Sequence, residues 1–130
     1  MKKEYDKLTQ EAKKALKNAY APYSKLKVGA AALTKKGNIY RGCNVENSSY
    51  GLTVCAERNA IANAVAHGEK EFEAIAIATL GEKLRTPCGA CRQTIIEFGE
   101  DIQVVMCNLK GAKKIRSIKE LLPEHFEISD

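Results

Sequence analysis

Four residues hold the chemistry legible in this chain: Cys55 and Glu57 in one segment, Cys88 and Cys91 in another. Pro87–Cys88–Gly89–Ala90–Cys91 is a CxxC, which offers two thiolates to one tetrahedral zinc. Alone it would serve equally as a redox dithiol or as half of a structural zinc finger. Cys55–Ala56–Glu57 adds a third sulfur and a carboxylate. Three protein ligands leave the fourth tetrahedral position open, as catalytic zinc sites do. Zinc brings the pKa of a water held there to about 7. Three thiolates leave such a site net negative, which opposes that effect. Arg58 and Arg92 each follow directly on a motif residue, where a guanidinium could hydrogen-bond a sulfur. Glu57 is not required as a ligand, and a carboxylate beside an activated water is placed to shuttle protons.

The elements around these residues explain how they would meet. Residues 4–19 place Leu8, Ala12, Ala15, Leu16 and Ala19 at helical spacing, and Ala21–Pro22–Tyr23 breaks the helix. Residues 27–33 read as a strand, Lys36–Gly37–Asn38 as a tight turn, and residues 39–43 as the returning strand of a hairpin. Residues 55–67 form a helix that ends at Gly68 and is small and apolar on nearly every side, so it should be buried. A strand follows at 72–79. A second internal helix at 88–98 lies between Pro87 and Gly99, and a fourth strand at 102–106. A short fifth strand near 112–117 and a helical turn at 118–122 precede Pro123. The alternation implies an α/β fold with parallel neighbours, and the initial hairpin makes the sheet mixed. Cys55 and Cys88 both stand where a helix begins. Free N–H groups and the helix dipole stabilise thiolates there.

The bulk properties bound the function. A chain of 130 residues is expected to form a single domain spanning 1–130. No apolar run approaches the roughly 20 residues that cross a bilayer, and the charged start MKKEYDK lacks a signal-peptide core. A cytoplasmic protein with no membrane partner is expected. Five cysteines, an odd number, argue against a closed disulfide framework. The net charge is +5, but Lys2, Lys3, Lys7, Lys13, Lys14 and Lys17 are spread along one helix, and no basic run is interleaved with aromatics. That reads as a solvated surface, with no nucleic-acid partner. Cys43 and Cys107 sit in or beside strands and read as core packing, and His67 and His125 as structural or exposed.

With these segments in view, the sequence resembles the cytidine deaminase family, in its short-chain homotetrameric type with three cysteine ligands. Residues 19–25 (AYAPYSK) and 28–31 (VGAA) resemble its N-terminal segment, and 42–51 (GCNVENSSYG) its nucleoside-binding segment. Residues 55–58 (CAER) and 87–93 (PCGACRQ) resemble its zinc motifs, and Leu121–Leu122–Pro123 with Phe126 its C-terminal element. The resemblance implies a three-layer α/β/α fold on a five-stranded mixed sheet, with the N-terminal hairpin followed by parallel strands. It implies one Zn²⁺ per subunit on Cys55, Cys88 and Cys91, with Glu57 as proton shuttle and Arg58 bonded to ligand thiolates. Asn44 and Glu46 would hold the ribose 3′-hydroxyl, and Leu26 and Ala56 would contact the substrate. The stretch Val45, Asn47, Ser48, Ser49 and Tyr50 would reach a neighbouring subunit's site, and Phe126 would cover substrate there. The implied reaction is hydrolytic deamination of cytidine and 2′-deoxycytidine, in which an activated water adds to C4, N3 is protonated and ammonia leaves.

One position departs from the resemblance. Many members carry Phe where this chain has Leu26, which keeps apolar contact with the base but loses aromatic stacking. Three other readings compete. A deaminase of a modified cytosine nucleoside or cytosine-containing antibiotic shares the zinc motifs. A polynucleotide editor needs a basic groove and stacking aromatics, and this chain has five Tyr, three Phe and no Trp to offer. A non-enzymatic Cys₄ module needs a fourth thiolate from Cys43 or Cys107.

Overall fold

The two faces of one sheet differ in side-chain size, and that difference decides where the helices lie. The computed structural model describes residues 5–128. Five strands, β1 (Val28–Thr34), β2 (Ile39–Cys43), β3 (Phe72–Thr79), β4 (Gln103–Asn108) and β5 (Lys113–Ser117), pair in the order β2-β1-β3-β4-β5. Strand alternation sends Ala31, Ala74, Ala76, Ala78, Val105 and Cys107 to one face. Helix α1 (Asp6–Leu16) packs there through Leu8, Ala12 and Leu16. The opposite face carries Ile75, Ile77, Val104 and Met106, and receives α2 (Ala56–Ala66) and α3 (Gly89–Ile96). The result is the three-layer α/β/α arrangement with a five-stranded mixed sheet.

Two glycines set how closely the helices approach. A Cβ at Gly29 would lie 2.1 Å from the Ala12 carbonyl oxygen on α1, and one at Gly42 would lie 2.3 Å from the Ala60 amide on α2. Ala56, Ala60 and Ala64 on α2 are fully buried against the sheet, whereas Ala62, Val65 and Ala66 on the other side are exposed, so the helix expected to be buried all round is buried on one face within this chain. That contact draws in the N-terminal end of α2, where Cys55 stands.

Strand direction refines the sequence reading. β1 pairs antiparallel with both β2 and β3, and only β3 and β4 are parallel among the five. β5 returns antiparallel to β4 rather than continuing a parallel series. The physical reason is the short connection at 109–112. A parallel return needs a crossover of a dozen or more residues, whereas a few residues suffice for a hairpin. Element ends shift by a few residues: the first helix covers Asp6–Leu16 within the expected 4–19, and β4 extends to Asn108. Helix α4 (Ile118–Leu121) follows β5 and is closed by a capping box between Ser117 and Glu120. No helix among the described residues is long and apolar enough to cross a membrane.

Candidate metal centre and substrate cavity

Cys55 and Cys88 are the N-cap residues of α2 and α3. Both have extended backbone, and neither side chain is spent on a capping hydrogen bond, so both sulfurs are free to face outward from the helix ends. Cys91 lies one turn into α3 and is fully buried. The three sulfur atoms lie within 4.8 Å of one another. Cys43 and Cys107 are not part of this cluster, which leaves the Cys₄ alternative without its fourth sulfur. Cys107 is buried on β4 with its thiol 3.4 Å from the Ile77 carbonyl oxygen, and burial pushes it up from the usual thiol range.

The charges of the cluster show what it can hold. Cys55 is lowered to about 5, first by the hydrogen bond from Cys91 and then by Arg58, with burial opposing. Cys91 is pushed up, foremost because it keeps its proton to donate to Cys55, and further by burial and by the Glu57 charge. Within this pair Cys91 is the donor and Cys55 the sulfur that carries the charge. Further thiolates at this spacing need a cation between them, and three soft sulfurs with a position to spare suit zinc. The residues fit that ion.

Arg58 supplies part of the balancing charge. Its Nη2 donates to Cys55 Sγ at 3.6 Å and to the Thr53 carbonyl at 3.3 Å. Arg92 does not reach a sulfur. Its Nε donates to the Pro87 carbonyl and its Nη1 to the Leu121 carbonyl, both at 2.7 Å, so it braces the CxxC loop against α4. Glu57 is buried in the first turn of α2, and burial, with the neighbouring Cys55 charge, raises its carboxyl above the usual range.

A cavity of about 240 Å³ opens at this cluster. It is lined by Cys55, Ala56, Glu57 and Cys88, and by Leu26, Asn44 and Glu46, so seven residues singled out in the sequence converge on one space. Ser24, Val28, Thr53, Ile77, Thr79, Arg85 and Thr86 complete the lining, and sequence reasoning gave none of them a role. Val28 and Thr79 are register partners where β1 begins and β3 ends. Arg85 and Thr86 arrive on a loop fastened by Asn108, whose Nδ2 donates to the Glu82 carbonyl at 2.8 Å.

Asn44 and Glu46 also organise the loop between α1 and β1. Asn44 Oδ1 accepts from the Val28 amide at 2.9 Å, and its Nδ2 donates to the Leu26 carbonyl at 2.8 Å. Glu46 Oε1 accepts from the amides of Tyr23 and Ser24 at 3.0 and 3.1 Å, and Oε2 accepts from the Ser24 hydroxyl. The Ser24 hydroxyl, followed by those amides, holds the Glu46 carboxyl below the usual range.

The remaining sequence-selected residues stand away from this cavity. Val45 bridges to Tyr20 and Val54. Asn47 Oδ1 accepts from the Ser49 amide at 2.9 Å, and the stretch from Ser48 through Tyr50 is exposed. Tyr50 is 76% exposed and Phe126 70% exposed. Phe126 lies over the far end of α3, where its carbonyl accepts from Gln93 Nε2 at 2.9 Å. His67 is exposed on the surface, its ring against Tyr40 at 4.9 Å and its Nδ1 2.8 Å from the Asn63 carbonyl oxygen.

A family model described as "Cytidine and deoxycytidylate deaminase zinc-binding region" matches residues 2–108. The chain is 48% identical to the cytidine deaminase of Sporosarcina psychrophila over 126 residues, covering 96% of this chain and 93% of that protein. It is 44% identical to that of Halalkalibacterium halodurans, covering 95% and 94% of the two chains. Among solved structures, cytidine deaminase from Burkholderia pseudomallei superposes with a TM-score of 0.91 at 46% identity, over 95% of this chain and 100% of the other. That from Mycobacterium tuberculosis gives 0.83 at 34%, over 98% and 100%.

Proposed function

The chain belongs to the family of cytidine and deoxycytidylate deaminases, and from that membership we propose that it hydrolyses cytidine and 2′-deoxycytidine to uridine and 2′-deoxyuridine, releasing ammonia in pyrimidine salvage. The observation that supports this most directly is the meeting of three cysteine sulfurs within 4.8 Å at a cavity also lined by Glu57, Asn44 and Glu46. One Zn²⁺ per subunit on Cys55, Cys88 and Cys91 supplies, when bound, a Lewis acid that makes water nucleophilic near neutral pH. Arg58 offsets part of the thiolate charge. Glu57 takes the proton of the attacking water and delivers it to N3, then relays the second proton to the departing amine. Its buried setting suits a carboxyl that must hold a proton as well as release one.

Hydrogen-bonding capacity favours a sugar hydroxyl at Asn44 and Glu46. A carboxylate has about four acceptor directions, and the loop uses three of those on Glu46. Asn44 Nδ2 has one N–H beyond the one given to Leu26. One acceptor and one donor remain, the complement of a hydroxyl. Leu26 gives the base an apolar cover, and Ala56 leaves room beside Glu57. Val45, Asn47, Ser48, Ser49, Tyr50 and Phe126 serve a neighbouring subunit in a homotetramer. Their position off their own cavity, with Tyr50 and Phe126 largely exposed, supports that assignment. The single domain of 1–130 is then a catalytic unit that is completed by its copies.

An ultraviolet deamination assay across cytidine, 2′-deoxycytidine, cytosine, CMP and a short single-stranded oligonucleotide tests the reading. Turnover of the two nucleosides is expected, and activity confined to the oligonucleotide would overturn it. Sedimentation of the zinc-loaded protein should give four times the 14.3 kDa chain mass.

A further inference from the structure

We propose that Ser24 is a positioning residue that couples the grip on the sugar to the cover over the base. The inference rests on the nucleoside reading above and assigns a role to a residue that sequence motifs left without one. Ser24 lines the cavity together with Leu26, Asn44 and Glu46. Its hydroxyl works in two directions. It donates to Glu46 Oε2 and accepts the Leu26 amide at 3.0 Å. On the other side of Leu26, the carbonyl is held by Asn44 Nδ2 at 2.8 Å. Both backbone groups of Leu26 are therefore fixed by the two residues that would hold the sugar, one of them through Ser24. The Leu26 side chain is left free to lie against a base.

The loop needs this fastening. Lys25, between Ser24 and Leu26, has φ 65°, in the left-handed region that a non-glycine residue occupies only when its surroundings impose it. The carboxylate that orients Ser24 is the one with an acceptor direction left for a sugar hydroxyl. A hydroxyl bound at Glu46 and the posture of Leu26 therefore share one hydrogen-bonded chain: sugar hydroxyl, Glu46, Ser24, Leu26 amide. Cover over the base is set where the sugar is recognised.

Steady-state kinetics on cytidine and 3′-deoxycytidine separate this role from ordinary packing. Ser24→Ala is expected to raise the KM for cytidine about tenfold, as for one lost hydrogen bond to a charged group, with kcat within about twofold. It should also remove most of the wild-type preference for cytidine over 3′-deoxycytidine. Ser24→Thr, which keeps the hydroxyl, should recover both. An unchanged KM and preference overturns the coupling. So does an equal loss on both substrates, which marks loop packing alone, and so does a fall in kcat with KM intact. If the alanine variant shows no cooperative thermal melt, Ser24→Cys, whose thiol is a poor donor, is held to the same outcomes. A wild-type protein that deaminates neither nucleoside refutes the functional reading and this coupling with it. A wild-type protein active on both, with Ser24→Ala indistinguishable from it, refutes the coupling alone.

Discussion

The guanidinium of Arg58 stands 3.6 Å from the sulfur of Cys55, one helical turn away on α2. A neutral side chain at 58 would leave three thiolates to drain charge from the metal without compensation. A hydrogen bond to a charged group contributes about 1.5–3 kcal/mol. Arg58→Gln is therefore expected to keep its zinc and lose roughly ten- to a hundredfold in kcat. Metal content and turnover measured on the same preparation check this, and an unchanged kcat refutes the role.

Glu57→Gln preserves size and burial but cannot carry a proton. It should bind zinc as the wild type does and lose about 10²–10⁴ in kcat, the range for a general acid–base residue. A variant that keeps most of its activity would remove Glu57 from the mechanism.

The sulfur cluster makes a prediction about stoichiometry. The double variant Cys43→Ala/Cys107→Ala should retain one zinc per chain, because neither residue belongs to the cluster. Cys88→Ser should lose it. Chelation of the wild type should lower its melting temperature, since an ion that binds the folded chain stabilises it by mass action. Zinc lost from the double variant would revive the four-cysteine alternative.

Leu26 tests the base contact. Leu26→Phe adds a ring over the pyrimidine, and aromatic pairing is worth about 0.5–1.5 kcal/mol beyond buried area. The KM for cytidine should fall roughly two- to tenfold, and no improvement would argue against stacking at this position.

The Glu46 carboxyl offers a direct titration. Its ionised form is favoured in the folded protein by the Ser24 hydroxyl first, then by the amides of Ser24 and Tyr23 and by Lys25, against opposing burial. A depressed value means that the clamp is fully present above the ordinary 4.5 and is lost only as pH falls through the lower folded value. Carbon-13 carboxyl NMR should place the wild-type midpoint below 4.5, with Ser24→Ala moving it upward. A midpoint at or above the ordinary value would remove the clamp.

The parts of the site that were legible in the sequence are those written locally. Cys55 and Cys88 sit at helix starts marked by their neighbours, and Gly68 and Gly99 mark the ends. Residues 56–66 are small on the side that meets the sheet. What was hidden depends on pairs far apart in the chain. Arg92 follows a metal ligand and looked placed for a sulfur, yet the carbonyls of Pro87 and Leu121 lie closer to its guanidinium. Glu46 and Ser24 meet only because the segment after β2 folds back against the loop before β1. The antiparallel return of β5 was recoverable from the short 109–112 connection, but alternation of helix and strand does not encode direction.

The parallel pairing of β3 with β4 has a consequence for how the protein comes into being. Cys55 stands before β3 and Cys88 and Cys91 before β4, so the three sulfurs converge only after both strands have found each other. A chain that extends only through β3 contains Cys55 but neither Cys88 nor Cys91, and so holds one of the three clustered sulfurs. The three-sulfur site is therefore complete only in a chain that continues past Cys91 into β4. The site thus joins segments on either side of β3, and a truncated chain that ends before Cys88 is expected to hold no zinc there, which metal analysis of that product checks.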